Sequence, residues 1–219
     1  MATINEKTGA VFRIAEDNQP IAGCTISKAV YDNGEDCIFY FSLAENTDIS
    51  AEIYGYHKLL LLHEGSMEVY TDKDAWTLRE GDCILAPTDT PVGMRTDTKA
   101  IYTEISIRRN TMNNAVKAGE IFKLAELLPY QDGKIINMDV AHNEKMKFVI
   151  MSFDEGTGLS EHAAPGEALI FALEGKGIIG YEGKEHPIKA GENFKFAEGG
   201  KHWVKADGRF KMALLMTLE

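Results

Sequence analysis

Histidine and cysteine are the side chains of this sequence that could carry metal, acid–base or nucleophilic chemistry. The sequence contains six histidines and three cysteines. No G-x-S-x-G, G-x-x-x-x-G-K-[ST], H-E-x-x-H or C-x-x-C motif occurs, which argues against a nucleophile elbow, a phosphate loop, a zincin helix and a thiol-redox pair. Cys24, Cys37 and Cys83 give no disulfide framework, and we expect small buried thiols in a reducing, cytoplasmic compartment.

A repeat of 110 residues organises the elements that must position these side chains. The segment Val-Phe-Arg-Ile-Ala-Glu at 11–16 recurs as Ile-Phe-Lys-Leu-Ala-Glu at 121–126, and the same offset relates Glu64-Gly65 to Glu174-Gly175. No gap is needed from residue 7 to residue 207. The register indicates a tandem duplication, with domains at 1–110 and 111–219 and a linker at 111–119.

Short apolar runs with glycine-containing turns between them fill each half. In the C-terminal half the runs end at turns that include Glu174-Gly175, Glu182-Gly183 and Asp207-Gly208. This pattern predicts an all-β, antiparallel sandwich or barrel. Helix is expected only in short pieces near 14–16, 115–118 and 124–128. Alternate side chains of such a barrel line one pocket that opens at its end.

Three segments of the C-terminal half resemble the two motifs of the cupin superfamily. They are Gly156-x5-His162, the run at 169–175, and Gly191-x7-Gly199-x2-His202. Together with the duplication, the chain resembles a bicupin: two tandem cupin-like (RmlC-like) jelly-roll barrels of the generic small-cupin type. The same fold hosts dioxygenases, isomerases, decarboxylases, storage proteins and sensors, so the resemblance is more specific for fold than for activity.

The resemblance also implies a metal site in the C-terminal barrel, because metal-bearing cupins present three histidines and one glutamate to the interior. His162 and His202 occupy two of these positions, and Ala164 and Ala168 occupy the other two. Glu167 would face the opposite way in a regular strand, although a β-bulge would restore it. The implied ligands are His162, His202 and Glu167, and the implied cofactor is one divalent transition metal, Ni, Zn, Fe or Mn. Alternatively, the histidines are remnants or contact an organic ligand.

Two aromatic residues lie within the second motif. Phe194 and Phe196 lie two positions apart and therefore share one face of a strand. We expect them to face inward with Ile170, which would make a largely apolar binding pocket for a small molecule.

The N-terminal half has no imidazole at these positions. The 110-residue offset places Glu52, Tyr54, Lys58 and Val92 there. We expect this barrel to be structural, an interface or an organic-ligand pocket. Tyr54, Tyr56 and Trp76 are interpreted as packed residues rather than as an aromatic ligand box. His57 is expected to be exposed to solvent or in a structural hydrogen bond, and His63, His142 and His186 are expected at the solvated surface.

The charge balance excludes several classes of partner. The net charge is −11, and no cluster of Lys and Arg offers a surface for nucleic acid or anionic membrane. No basic segment followed by an apolar run marks a secretory signal, and no apolar run is long enough to span a bilayer. We expect a cytoplasmic protein, and a homodimer because jelly-roll edges need covering.

Two functions are compatible with these residues. The first is a cupin-domain protein that binds a small molecule, a divalent metal or both in its C-terminal barrel. The second is a metal-dependent enzyme of the dioxygenase or isomerase type, acting on a small organic substrate, in which Glu167 is a ligand or a base. The sequence leaves open whether the chain is an enzyme.

Overall fold

Strands make up most of the computed structural model, which describes residues 3–108 and 111–218. The strands of the first half are β1 (Val11–Phe12), β2 (Thr25–Asp32), β3 (Cys37–Leu43), β4 (Thr47–Ile53), β5 (Lys58–Tyr70), β6 (Ala75–Arg79), β7 (Cys83–Leu85), β8 (Pro91–Thr96) and β9 (Ala100–Ser106). Those of the second half are β10 (Thr111–Met112), β11 (Ile121–Phe122), β12 (Ile135–His142), β13 (Met146–Phe153), β14 (Gly158–Ala163), β15 (Ala168–Tyr181), β16 (Lys184–Lys189), β17 (Asn193–Phe196) and β18 (Lys201–Thr217). Helix is limited to α1 (Ile14–Asp17) and the 3-10 helix η1 (Leu124–Glu126).

The chain forms two compact units. Among the described residues, unit 1 comprises 14–108 and Asn114–Lys123, and unit 2 comprises Thr3–Arg13, 111–113 and 124–218. The segment at the start of each repeat, 3–13 or 114–123, therefore belongs to the unit that is built mainly from the other repeat. The predicted domain boundary at residue 110 lies outside the described residues.

Unit 2 is built on one antiparallel sheet of nine strands. Its order is β1-β17-β15-β18-β13-β12-β10, with β14 paired to β18 and β16 paired to β15. Alternate residues of these strands enclose an apolar core that includes Ile170, Phe194, Phe196 and Met212. Period-two alternation along strands that curl around one interior produces this arrangement.

Unit 1 repeats the architecture. Its nine-stranded antiparallel sheet has the order β11-β7-β5-β9-β3-β2, and β4, β6 and β8 pair off this path. Its core includes Leu60, Val92, Met94 and Tyr102. The prediction of an all-β fold with cupin-like antiparallel barrels and short helical pieces is thereby confirmed.

Two predicted turns are bulges inside long strands. Strand β15 continues through Glu174-Gly175, where its pairing with β18 shifts register on either side. Gly175 has a φ of +74°, and a Cβ atom there would lie 1.9 Å from the carbonyl oxygen of Arg209. Strand β18 likewise runs through Asp207-Gly208. A glycine with positive φ can bend a strand without ending it.

The expected helix at 115–118 is also wrong, because those residues form a turn and an isolated bridge from Ala118 to Leu85. Of the cysteines, only Cys83 is buried, whereas Cys24 is exposed in the turn that precedes β2. No described helix has the length and apolar character needed to cross a membrane.

Candidate functional site

His162 and His202 face each other across two neighbouring strands of unit 2. They are direct partners in the antiparallel register of β14 and β18, and their ring centroids lie 4.2 Å apart. The His162 side chain is exposed, whereas His202 is buried. One imidazole therefore lies at the surface and the other just beneath it.

Backbone hydrogen bonds fix the orientation of both rings. The Nδ1 atom of His162 lies 2.8 Å from the carbonyl oxygen of Ser160, and that of His202 lies 3.1 Å from the carbonyl oxygen of Gly200. A carbonyl oxygen can only accept, so each Nδ1 carries the proton and each Nε2 keeps its lone pair. Metal-ligating histidines commonly have this arrangement, and it equally suits a hydrogen bond from a ligand.

Burial favours the neutral form of His202. It lowers the pKa of His202, and the neighbouring His162 lowers it further, although the hydrogen bond to Gly200 acts in the opposite direction. A neutral imidazole is the form that donates a lone pair to a ligand.

An aromatic cluster lies behind the histidine pair. The ring of Phe196 stacks on His202 with a centroid distance of 4.0 Å. Tyr181 is the register partner of His202 on β15, and its ring packs against both Phe196 and Phe194. Of the predicted binding residues, Phe196 contacts the site directly, whereas Ile170 and Phe194 are fully buried in the core. Tyr181 was not predicted, because its place beside His202 comes from the pairing of β15 with β18, which the sequence alone does not display.

Glu167 lies in a different cluster. Its carboxylate contacts the ammonium of Lys195 at 2.7 Å and accepts a hydrogen bond from the backbone N–H of Ile4. Lys195, which is buried, donates to the carbonyl oxygen of Ile4. Glu167 and Lys195 thus hold the N-terminal segment in unit 2.

Residues 149–218 match the family model described as a cupin domain. This segment is a cupin domain. No curated protein matches the sequence. Solved cupin structures extend the likeness over the whole chain, and at these identities they establish the fold alone.

Three solved structures illustrate this fold. A cupin 2 conserved barrel domain protein from Leptotrichia buccalis has a TM-score of 0.83 and 24% identity, over 99% of this chain and 100% of that one. Protein Ylba from E. coli has a TM-score of 0.61 and 11% identity, over 98% and 95% of the two chains. A salicylate 1,2-dioxygenase from Pseudoaminobacter salicylatoxidans has a TM-score of 0.60 and 11% identity, over 83% and 70%.

Of the four positions that hold ligands in metal-bearing cupins, only two carry ligating side chains here, His162 and His202. Ala164 and Ala168, at the positions of the other histidine and the glutamate, are buried in the apolar core. Ala168 therefore faces inward, and the residue before it, Glu167, makes the contacts with Ile4 and Lys195. No bulge brings Glu167 to the histidines, and no group of three or more His, Cys, Asp or Glu within 3–108 and 111–218 is placed to hold a metal.

The residues of this cupin domain therefore fit two imidazole ligands and do not fit the full set of three histidines and one glutamate. Structural and catalytic zinc sites normally use at least three protein ligands. A metal at His162 and His202 would need water or a bound organic molecule to complete its coordination.

The N-terminal barrel of the chain has the same framework with different chemistry. Glu52 and Val92, which the offset relates to His162 and His202, are partners in the register of β4 and β8. Lys58, which corresponds to Ala168, is buried. The offset found in the sequence therefore holds for the strand pairing, while the ligating imidazoles are replaced.

Proposed function

We propose that unit 2 binds a small molecule, a divalent transition metal or both at the His162–His202 pair. The paired rings carry this proposal, because both Nδ1 atoms are held by backbone carbonyls and both Nε2 lone pairs are left for a ligand. The buried ring of Phe196 supports it further, since it stacks on His202 and holds that imidazole in place.

A metal-dependent cupin enzyme, of the dioxygenase or isomerase type, is the second candidate. The Nδ1–H bonds to Ser160 and Gly200 favour it, because such outer hydrogen bonds orient metal-ligating histidines. One solved structure of this fold is a salicylate 1,2-dioxygenase, so salicylate is a reasonable first substrate to test. The metal would supply Lewis acidity or oxygen chemistry, and the chain would supply the two imidazoles.

Metal uptake is measured first, because the second candidate requires a bound metal. Purified protein would be incubated in turn with Ni²⁺, Zn²⁺, Fe²⁺ and Mn²⁺, freed of excess metal and analysed for metal per chain. His162→Ala and His202→Ala are the test variants, and His142→Ala is the matched control because His142 is an exposed histidine of the same unit. One equivalent that only the test variants lose supports a metal site, and oxygen uptake with salicylate then tests the enzyme.

Absence of metal in every sample leaves the small-molecule site to be tested alone. Salicylate would be titrated into ¹⁵N-histidine-labelled protein while the imidazole signals are followed by NMR. A shift of the His162 and His202 signals, abolished in His202→Ala, supports the site. If neither the metals nor salicylate change the NMR signals of His162 or His202, the proposal is overturned.

We also propose that residues 1–110 and 111–219 are the two duplicated domains and that the chain forms a homodimer in the cytoplasm. The three free cysteines support a reducing compartment. Light scattering at several concentrations would test the dimer, and a constant monomer mass would contradict it.

A further inference from the structure

Tyr181 lies against the turn that precedes His202. It ends strand β15, is 9% exposed and is the register partner of His202 on β18. Its hydroxyl accepts a hydrogen bond from the backbone N–H of Ala197 at 3.3 Å. A Cβ atom on Gly200 would lie 2.7 Å from Cε2 of the tyrosine ring and 2.8 Å from the hydroxyl oxygen. The tyrosine therefore contacts both ends of the turn 197–200.

This turn supplies the carbonyl group that orients His202. The N–H of Gly200 donates to the carbonyl oxygen of Ala197, which closes the turn. The carbonyl oxygen of Gly200 accepts from the N–H of Ala164 and lies 3.1 Å from Nδ1 of His202. Because that oxygen can only accept, its position keeps the proton on Nδ1 and leaves the lone pair on Nε2. A shift of the turn would remove the group that selects this tautomer.

The N-terminal segment 3–13 holds the other side of Tyr181. Gly9 has a φ of +72°, and a Cβ atom there would lie 3.0 Å from Cε1 of the tyrosine ring. The backbone N–H of Gly9 donates to the carbonyl oxygen of Lys195 at 3.1 Å. The ring is thus enclosed between Gly9 and Gly200, two residues without side chains, which allow the backbone to approach it closely.

The other repeat provides an internal comparison. The 110-residue offset relates Tyr181, Ala197 and His202 to Thr71, Pro87 and Val92. Proline has no backbone N–H, so Pro87 cannot donate the hydrogen bond that Ala197 donates in unit 2. The tyrosine, the N–H that it binds and the histidine are all present in one repeat and all replaced in the other, as expected if they serve one purpose.

We propose that Tyr181 is a positioning residue for His202 and that segment 3–13 keeps Tyr181 in place through Gly9. Tyr181 acts by fixing the turn 197–200, and the turn holds the carbonyl oxygen of Gly200 at Nδ1 of His202. The inference rests on the ligand site proposed for unit 2, because Nε2 of His202 is the atom that a bound metal or organic molecule would use. It makes the N-terminal segment part of the support of that site.

The tautomer of His202 tests this positioning without any ligand. NMR of the whole chain, labelled with ¹⁵N-histidine and kept at about pH 8 so that imidazoles are neutral, distinguishes a protonated ring nitrogen from one with a lone pair. Wild type should carry the proton on Nδ1 of His202. Tyr181→Phe and Gly9→Ala should each shift the tautomer ratio toward Nε2–H by about threefold or more. The tautomer of His162 depends on Ser160 and should stay unchanged.

Two control variants match these changes. Tyr130→Phe removes another tyrosine hydroxyl of unit 2, which is bonded to Glu174. Gly133→Ala places an alanine at a φ of +67°, where nothing lies within 4 Å of the added Cβ atom. Both should leave the His202 tautomer as in wild type. Tyr181→Phe removes one hydroxyl only, so it retains the test if Gly9→Ala does not fold.

Ligand titration separates this inference from the proposed function. Where wild type binds Zn²⁺ or salicylate, Tyr181→Phe should weaken the affinity about fivefold, and Tyr130→Phe should leave it unchanged. If neither probe binds to wild type, the proposed function fails, and the tautomer shift alone decides the positioning role. The inference is overturned if the His202 tautomer is the same in wild type, Tyr181→Phe and Gly9→Ala, or if wild type carries the proton on Nε2.

Discussion

His202 is held between two partners on adjacent strands, with His162 opposite it on β14 and Tyr181 opposite it on β15. Because the centroids of the two imidazole rings are 4.2 Å apart, we expect one ligand to contact both rings. The effects of removing each histidine should therefore not add.

A double-mutant cycle tests this coupling. His162→Ala and His202→Ala should each weaken binding of the metal or salicylate at least tenfold, and the double variant should be little worse than either single variant. Titration of the four proteins with the same ligand measures the effect. Strictly additive losses would show that the two rings act on separate ligands.

The Glu167–Lys195 pair provides a prediction for stability. Glu167→Ala leaves a buried ammonium unpaired and should lower the free energy of unfolding by about 3 kcal/mol. Urea denaturation measures the change, and Glu167→Leu combined with Lys195→Met should recover much of it. Glu120→Ala is the control, since that carboxylate belongs to an exposed pair with Lys117 and should change stability by less than about 0.5 kcal/mol.

Ligand binding in the same Glu167→Ala variant separates two roles for the residue. If Glu167 only holds Ile4 and Lys195 in place, the folded variant should keep an affinity at His162 and His202 within about threefold of wild type. That is a difference of under about 1 kcal/mol. A loss of affinity as large as that of His202→Ala would instead indicate that Glu167 takes part in binding.

The bulge glycines allow a matched comparison between the repeats. A Cβ atom on Gly65 or Gly175 would lie 1.8 or 1.9 Å from a carbonyl oxygen, whereas Gly81 and Gly191 have open space and the same positive φ of +82°. Gly81→Ala and Gly191→Ala should cost about 1 kcal/mol from the backbone conformation alone. Gly65→Ala and Gly175→Ala should cost about 3 kcal/mol or more because of the added clash. Equal melting temperatures for all four variants would contradict this account.

His63 predicts a pH dependence. It is partly buried, its Nε2 lies 2.6 Å from Oγ1 of Thr103, and burial lowers its pKa to about 4. An unfolded histidine titrates near ~6.5, so between these values only the unfolded chain binds the proton. The free energy of unfolding should therefore fall as pH decreases from about 6.5 toward 4, by an amount on the order of 2 kcal/mol.

Chemical denaturation of His63→Gln across this pH range tests the assignment. The variant should lose most of the decrease, and the exposed-histidine variant His142→Gln should retain it. An unchanged pH dependence in His63→Gln would assign the effect to other groups. The expectation that His63 lies at a solvated surface is wrong in this structure, because β5 places it against Thr103 of β9.

Strand alternation and the 110-residue offset predicted much of this architecture. Alternation placed Phe194 and Phe196 on one inward face and placed Glu167 on the opposite face from Ala168. The offset predicted that Glu52 and Val92 would correspond to His162 and His202, as their strand register shows. These features depend on local periodicity, which a sequence displays directly.

Features that depend on pairing between distant segments were not predictable in this way. Glu174-Gly175 has the composition of a turn, and it forms a bulge only because β15 pairs with the neighbouring strand β18. The buried ion pair of Lys58 with Glu104 joins residues from β5 and β9, and nothing in either segment alone indicates the other. The tautomers of the two histidines depend on carbonyl positions that only the folded backbone provides.

Strand β1 has a practical consequence for work with fragments of this chain. A fragment that begins at residue 111 would lack residues 3–13, so the edge of β17 would have no partner and Glu167 and Lys195 would lose Ile4. Open strand edges are templates for aggregation. Poor solubility of such a fragment would therefore report a missing strand rather than an unstable barrel, and adding residues 3–13 as a peptide is the direct remedy.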